Sequence, residues 1–239
     1  MRSALFAAEN LEKESSQPGM RLQNSKMLKI ELDGEAMARI GSMVAYQGQV
    51  RFQALGSGGI GKFLKQKLTG EGVPLMRLTG RGDVFLADLA SDVHLIDLEP
   101  GDALSINGSS VLAFDSTLKY DIRMVGGAGM ASSAGLFNCV FSGHGRIAIT
   151  TKGTPVVLTV DQPTYVDPQA AVCWSAGLQT GYHRAEQLGL GTLLGRRTGE
   201  AFTMSFAGQG FVVVQPSEEP PVLGAGQQEQ QGLLGNLLG

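Results

Sequence analysis

The chain has 239 residues, of which 43% are hydrophobic, 17% charged, 6% aromatic and 34 are glycine. Nineteen Lys and Arg against 22 Asp and Glu leave a net charge of −3, with a mean hydropathy of +0.04. That composition excludes a disordered chain and leaves no basic field to gather phosphate backbones, so the expectation is a turn-rich, well-buried domain with no nucleic-acid partner.

From the N-terminus, residues 1–19 form a separate segment. Its apolar patch, Ala4 to Ala8, is interrupted by Glu9, Glu12 and Glu14, which is not the shape of a secretory signal. A helix is expected from Leu5 to Glu14. Later apolar runs such as Val156–Leu158 and Phe211–Val214 last a few residues, far short of the roughly 20 needed to cross a bilayer. The expected location is the cytoplasm. Cys139 and Cys173 both lie in apolar runs and read as small buried side chains suited to a reducing compartment.

From residue 20 to 216 a composite pattern occurs three times. Its first half is an apolar pair closing on an aromatic: Val44-Ala45-Tyr46, Leu112-Ala113-Phe114 and Val172-Cys173-Trp174. An aliphatic follows four residues after each aromatic, at Val50, Leu118 and Leu178. The second half alternates through a Gly-x-Gly: Met76, Leu78, Gly80, Gly82, Val84, Leu86; then Cys139, Phe141, Gly143, Gly145, Ile147, Ile149; then Met204, Phe206, Gly208, Gly210, Val212, Val214. The units recur about every 65 residues and divide the domain at about 20–100, 101–163 and 164–216.

Period-2 alternation buries one face of a strand, and paired glycines mark the place where it bends or approaches another backbone. A bent strand feeding two sheets, three times over, predicts an all-β fold. The architecture expected is a three-repeat β-sandwich or prism with pseudo-three-fold symmetry. Leu104-x-Ile106 before Asn107-Gly108 reads as a hairpin with a type I′ turn, with Asp167-Pro168 in the matching place. Val156–Val160 is a further strand, and Lys62–Leu68 a short helix. Val73-Pro74 opens the first Gly-x-Gly strand without a backbone N–H, which places that start on a sheet edge. Residues 217–239, rich in Pro, Gly and Gln, read as a disordered tail.

Several of these segments are recognisable together: Thr69-Gly70-Glu71, Thr198-Gly199-Glu200, the loops Gly58-Gly59-Ile60-Gly61 and Gly189-Leu190-Gly191, Leu112-Ala113-Phe114-Asp115-Ser116 and Gly210-Phe211-Val212-Val213-Val214-Gln215-Pro216. The chain resembles the mitochondrial-biogenesis family named for altered inheritance of mitochondria, member twenty-four, over residues 20 to 216. The resemblance implies an all-β fold like that of the tryptophan RNA-binding attenuation protein, a short double-stranded β-helix that self-associates. It implies no catalytic residue, cofactor or metal.

Motifs that carry chemistry elsewhere read here as structure. Gly56-Ser57-Gly58-Gly59-Ile60-Gly61-Lys62 fits a phosphate-loop spacing, but Phe63 stands where a Ser or Thr would hold magnesium. His94, His144 and His183 are far apart with no second ligand at metal spacing. Ser132-Ser133 lacks a nucleophile elbow. Asp83, Asp88, Asp92 and Asp97 read as solvated acids on strand faces and turns, Arg81-Gly82-Asp83 as part of the first Gly-x-Gly, and Asn107-Gly108-Ser109 as a turn. No catalytic, cofactor-binding or metal-ligating residue is assigned. The expected function is a non-enzymatic, self-associating scaffold, a homo-oligomer such as a trimer with a further protein partner. The alternative is a module binding a small ligand or membrane surface through the loops Gly58–Gly61, Gly126–Gly129 and Gly189–Gly191.

Overall fold

A computed structural model describes residues 3–13, 17–55, 73–124, 137–184 and 202–217. The fold is all-β, without an α-helix among the described residues. The first strands are β1 (Gly19–Asn24), β2 (Met27–Arg39), β3 (Met43–Ala54) and β4 (Leu75–Leu86). Leu28, Ile30 and Leu32 point one way from β2 into the core, while Lys29, Glu31 and Asp33 alternate to the other face. The middle of the chain forms β5 (Asp92–Leu98), β6 (Ala103–Asn107), β7 (Val111–Asp115), β8 (Lys119–Met124), β9 (Phe137–Ser142) and β10 (Gly145–Thr151). The last group is β11 (Val156–Val160), β12 (Thr164–Val166), β13 (Ala171–Ser175), β14 (Gln179–Arg184), β15 (Phe202–Ala207) and β16 (Gly210–Val214).

These strands make three antiparallel sheets. The first runs β3-β4-β2-β7-β10-β5 with β1 added on β2, the second β11-β16-β13-β6-β9-β8, and the third β12-β15-β14. At Gly143–His144 the chain leaves the second sheet as β9 and enters the first as β10; at Gly208–Gln209 it leaves the third as β15 and enters the second as β16. The paired glycines therefore turn sheet corners twice. The first Gly-x-Gly differs from that expectation, because β4 runs unbroken through Gly80 and Gly82 within one sheet. Long neighbours accompany it on both sides, with Gly34 opposite Gly80 and Gly48 opposite Gly82. All four have positive φ, and a Cβ on Gly80 or Gly82 would collide with the carbonyl oxygen of Gln49 or Gln47 on β3.

The alternating runs supply three separate core clusters. Met76, Leu78 and Val84 enter one, Cys139, Phe141 and Ile147 the next, and Met204, Phe206 and Val212 the last. Edge-on aromatic pairs sit inside two of them, Phe114 on Phe141 at 4.9 Å and Trp174 on Phe206 at 5.5 Å. The three aromatic-closed segments share one irregularity: each ladder skips a single residue, Val44 in β3, Leu112 in β7 and Val172 in β13. Successive units also join within a sheet through equivalent pairs, Met37 opposite Phe114 in the first sheet and Ser105 opposite Trp174 in the second.

Other expectations need correction. Leu5–Glu14 is not a helix: the described part holds two single 3-10 turns, Ala4–Phe6 and Ala8–Asn10, separated by extended Ala7. Bonds from Gln23 Nε2 to the Leu11 carbonyl and from Lys13 N to Gln23 Oε1 draw the segment out along β1. Asn107-Gly108 is not a hairpin turn. Asn107 keeps φ at −56°, its Oδ1 accepts from Ser109 N, and its Nδ2 donates to the carbonyls of Ala171 and Pro168. It turns the chain from one sheet to another, and Asp167 Oδ1 accepts from Gln169 N in the same manner. Nor does Pro74 mark a sheet edge, since β4 lies between β2 and β3. Pro74 stops one residue short of the ladder, and its carbonyl accepts from Ile40 N at 2.9 Å. The Val156–Val160 strand is present. The expected Lys62–Leu68 helix and the tail from residue 218 onward lie outside the described residues.

Candidate functional site

The polar face of β2 and β4 forms the floor of an open groove of about 580 Å³. Lys29 and Glu31 come from β2, Arg81 and Asp83 from β4, Gln47 from β3, and Glu12 and Pro18 from the N-terminal segment that closes one side. Strand alternation brings them together: Lys29 pairs across the ladder with Phe85, and Glu31 with Asp83.

Lys29 is the centre of the groove, with its side chain only 3% exposed. Its ammonium donates to Glu12 Oε1 at 2.7 Å and to the Lys13 carbonyl at 2.9 Å. It lies 3.3 Å from Asp83 Oδ2, 3.5 Å from Glu31 Oε1 and 5.8 Å from the centre of the Phe85 ring. Burial pushes its pKa down, but the bonds to Glu12 and Asp83 outweigh that and hold it above the ordinary lysine value. The bond from Lys29 in turn holds Glu12 below the ordinary carboxylate value. A lysine held charged has no lone pair for nucleophilic or Schiff-base chemistry. The groove thus works as a latch that fastens residues 12 and 13 to the sheet, with Gln47 Nε2 reaching Glu12 Oε2 at 3.4 Å.

The four aspartates singled out in the sequence do not form a cluster; each faces a different cation. Asp83 faces Lys29, Asp88 faces Arg39 at 2.6 Å, Asp92 faces Lys26 at 2.7 Å, and Asp97 takes both arms of Arg146 at 2.6 and 2.8 Å. Arg146 Nη1 also donates to the Met20 carbonyl, so this pair ties β1 to the β5–β10 ladder. His94 Nε2 lies 2.9 Å from Thr151 Oγ1, and His144 lies 3.6 Å from Glu99 on an exposed corner. His183 lies on β14. Cys139 and Cys173 are buried free thiols, one on each side of Ile106 in the second sheet. Two strand spacings, roughly 10 Å, keep them too far apart for a disulfide, and burial pushes both thiols up to about 12. Among the described residues no group of three His, Cys, Asp or Glu is placed to hold a metal ion, and no helix is long and apolar enough to cross a membrane.

The phosphate-loop-like Gly56–Lys62, Ser132-Ser133 and the loops Gly58–Gly61, Gly126–Gly129 and Gly189–Gly191 lie outside the described residues. The Lys29 groove was not anticipated, although Leu28 to Asp33 alternates apolar and charged residues as one strand with a charged outer face.

Sheet edges carry the exposed apolar side chains. Met43, Val44 and Tyr46 stand out on β3, which pairs only with β4, and Val156 and Val157 on β11, which pairs only with β16, among the described residues. Single exposed apolar residues are ordinary; rows of them on unpaired strands are templates for another strand.

A protein-family model described as mitochondrial biogenesis AIM24 matches residues 20–217. Among solved structures, the crystal structure of a protein from Streptococcus pyogenes is similar with a TM-score of 0.64 and 21% sequence identity, over 93% of this chain and 99% of that one. At that identity the likeness speaks for the fold alone. No curated protein matches the chain.

Proposed function

The chain belongs to the mitochondrial biogenesis AIM24 family, and from that premise we propose that it is a non-enzymatic scaffold that associates with copies of itself. The observation that carries this reading is the contrast between its two surfaces. The charged side chains of the polar groove are engaged with one another, Lys29 with Glu12 and Asp83 and Arg81 with Asp33, whereas β3 and β11 present apolar side chains along edges that are unpaired among the described residues. In this reading the fold is a three-unit β prism of the kind named for the tryptophan RNA-binding attenuation protein. The support is the repeated skip at Val44, Leu112 and Val172, and the three clusters fed by equivalent positions. The scaffold works in the cytoplasm as a trimer with a protein partner and no nucleic acid. Its buried free thiols suit a reducing compartment, and a net charge of −3 offers no phosphate attraction.

Size-exclusion chromatography with light scattering tests the reading. The expected mass is three times that of the 25.1 kDa chain, and a monomer at micromolar concentration overturns it. The second reading, a small-ligand or membrane-surface module, is favoured by the volume of the groove. A ligand that binds only the folded form raises the melting temperature, and a screen of sugar and lipid-headgroup ligands without such a rise removes it.

A further inference from the structure

We propose that the outer edge of β3 receives β12 of a second copy of the chain as its next strand, with Tyr46 opposite Tyr165. The inference rests on the self-association proposed above and specifies its surface.

The register follows from the two junctions the chain makes within itself. In one, Met37 of β2 stands opposite Phe114 of β7, flanked by Ala36 opposite Asp115 and Ala38 opposite Ala113. In the other, Ser105 of β6 stands opposite Trp174 of β13, flanked by Leu104 opposite Ser175 and Ile106 opposite Cys173. Both are antiparallel and three pairs long. Met37 precedes Tyr46, the aromatic of its own unit, by nine residues, and Ser105 precedes Phe114 by the same number. Tyr165 precedes Trp174 by nine as well. Met37, Ser105 and Tyr165 are thus one structural position, and Tyr46, Phe114 and Trp174 another. The position in one unit meets the aromatic of the next: first with second, second with third. Applied once more, the rule sets the third unit's Tyr165 against the first unit's Tyr46, with Thr164 against Gln47 and Val166 against Ala45.

Burial shows where that contact is missing. Phe114 is 0% exposed and Trp174 4%, but Tyr46 is 50% exposed. The skipped residue just before the aromatic follows the same pattern: Leu112 and Val172 are 0% exposed and Val44 is 56% exposed. Among the described residues the ladder partner of β3 is β4 and that of β12 is β15, and the two strands are not bonded to each other. β3 lacks the usual guards of a lone edge, since Met43 to Val50 contain no charged residue and no proline. β12 lies between Pro163 and Asp167-Pro168 and offers three residues, the length of each junction made within the chain. A copy that receives a strand on β3 still has its own β12 to offer, so the contact is head-to-tail and closes into a ring when the rotation permits.

The test co-expresses two single variants, Tyr46→Cys and Tyr165→Cys, and oxidises the purified protein with copper phenanthroline. Residues directly opposite in antiparallel strands have Cα separations within disulfide range, and the native thiols are buried. The expected result is a two-chain species on a non-reducing gel from the co-expressed pair and none from either variant alone. Gln47→Cys with Thr164→Cys, one step along the same register, replaces the first pair if either variant fails to fold. Val44→Lys is expected to lower the oligomer mass while the far-ultraviolet circular dichroism of the chain stays that of the wild type; its melting temperature falls only by the part that association contributes. An oligomer that yields no cross-link at either pair overturns this interface and leaves self-association standing. A monomeric wild type overturns both. A cross-link inside one chain of the Tyr46→Cys/Tyr165→Cys double variant shows the chain closing on itself, and overturns the second copy as occupant.

Discussion

Gly80→Ala tests the claim that the first Gly-x-Gly serves backbone geometry, and Gly34→Ala is its control. The two glycines face each other across β2 and β4 with nearly equal φ, +122° at Gly34 and +123° at Gly80. Around Gly34 a new methyl meets nothing within 4 Å; at Gly80 it stands closer than 3.0 Å to the Gln49 carbonyl oxygen of β3. The strain of holding an L-residue in the left-handed region, about 1–2 kcal/mol, is therefore common to both variants. Only Gly80→Ala must also push β3 away, weakening the ladder bonds beside it at about 1 kcal/mol each. Gly80→Ala should cost about 3 kcal/mol and Gly34→Ala about half that. At roughly 2–4 °C per kcal/mol for a chain of this size, melting falls by about 6–12 °C and about 3–6 °C respectively. Scanning calorimetry at fixed protein concentration measures both, because self-association makes melting concentration-dependent. Equal shifts for the two variants would refute the steric argument, and no shift in either would refute the conformational one.

Three further outcomes follow from the buried polar contacts. Lys29→Met leaves Glu12 and Asp83 without their cation beside Glu31, which keeps Arg21 at 3.0 Å, and should cost about 2–3 kcal/mol near neutral pH, read by urea unfolding. Folded-state pKa values held low by Lys29 at Glu12 and by Arg146 at Asp97 give stability that is present above the ordinary carboxylate range. That stability is lost as pH falls through the depressed values, so the wild-type melting temperature should drop below about pH 4. Lys29→Met should flatten part of that acid limb. Asn107→Ala removes donors to the Ala171 and Pro168 carbonyls and the acceptor for Ser109 N at a buried corner, for a loss of about 2 kcal/mol in the same unfolding assay. Cys139 and Cys173, with thiols pushed to about 12, should ignore a thiol reagent at pH 8 in the native protein and both react in denaturant.

The regularities that repeat were legible in the sequence, and the reasons are local. Alternation through Met76–Leu86, Cys139–Ile149 and Met204–Val214 places the same face inward whatever the sheet, so core membership could be read from period alone. Whether a Gly-x-Gly turns a corner could not, because it depends on the neighbours. Beside β4 the long strands β2 and β3 continue past the glycines, while the strands beside Gly143 and Gly208 break with them. Asn107-Gly108 carries the residues of a type I′ turn, yet its side-chain bonds to Ala171 and Pro168, more than 60 residues away, override the local preference. Pro74 misled for a related reason: a proline needs an edge only inside a ladder, and this one stops just before it. The groove escaped notice because Lys29 becomes buried only when Glu12 is folded back over it, 17 residues distant in the chain.

The most direct test of the account is the solution mass of the wild-type protein beside that of Val44→Lys. A wild-type mass of three chains of 25.1 kDa, falling toward one chain in the variant while its far-ultraviolet circular dichroism holds, is the predicted result. A wild type that remains a single chain across the micromolar range contradicts it.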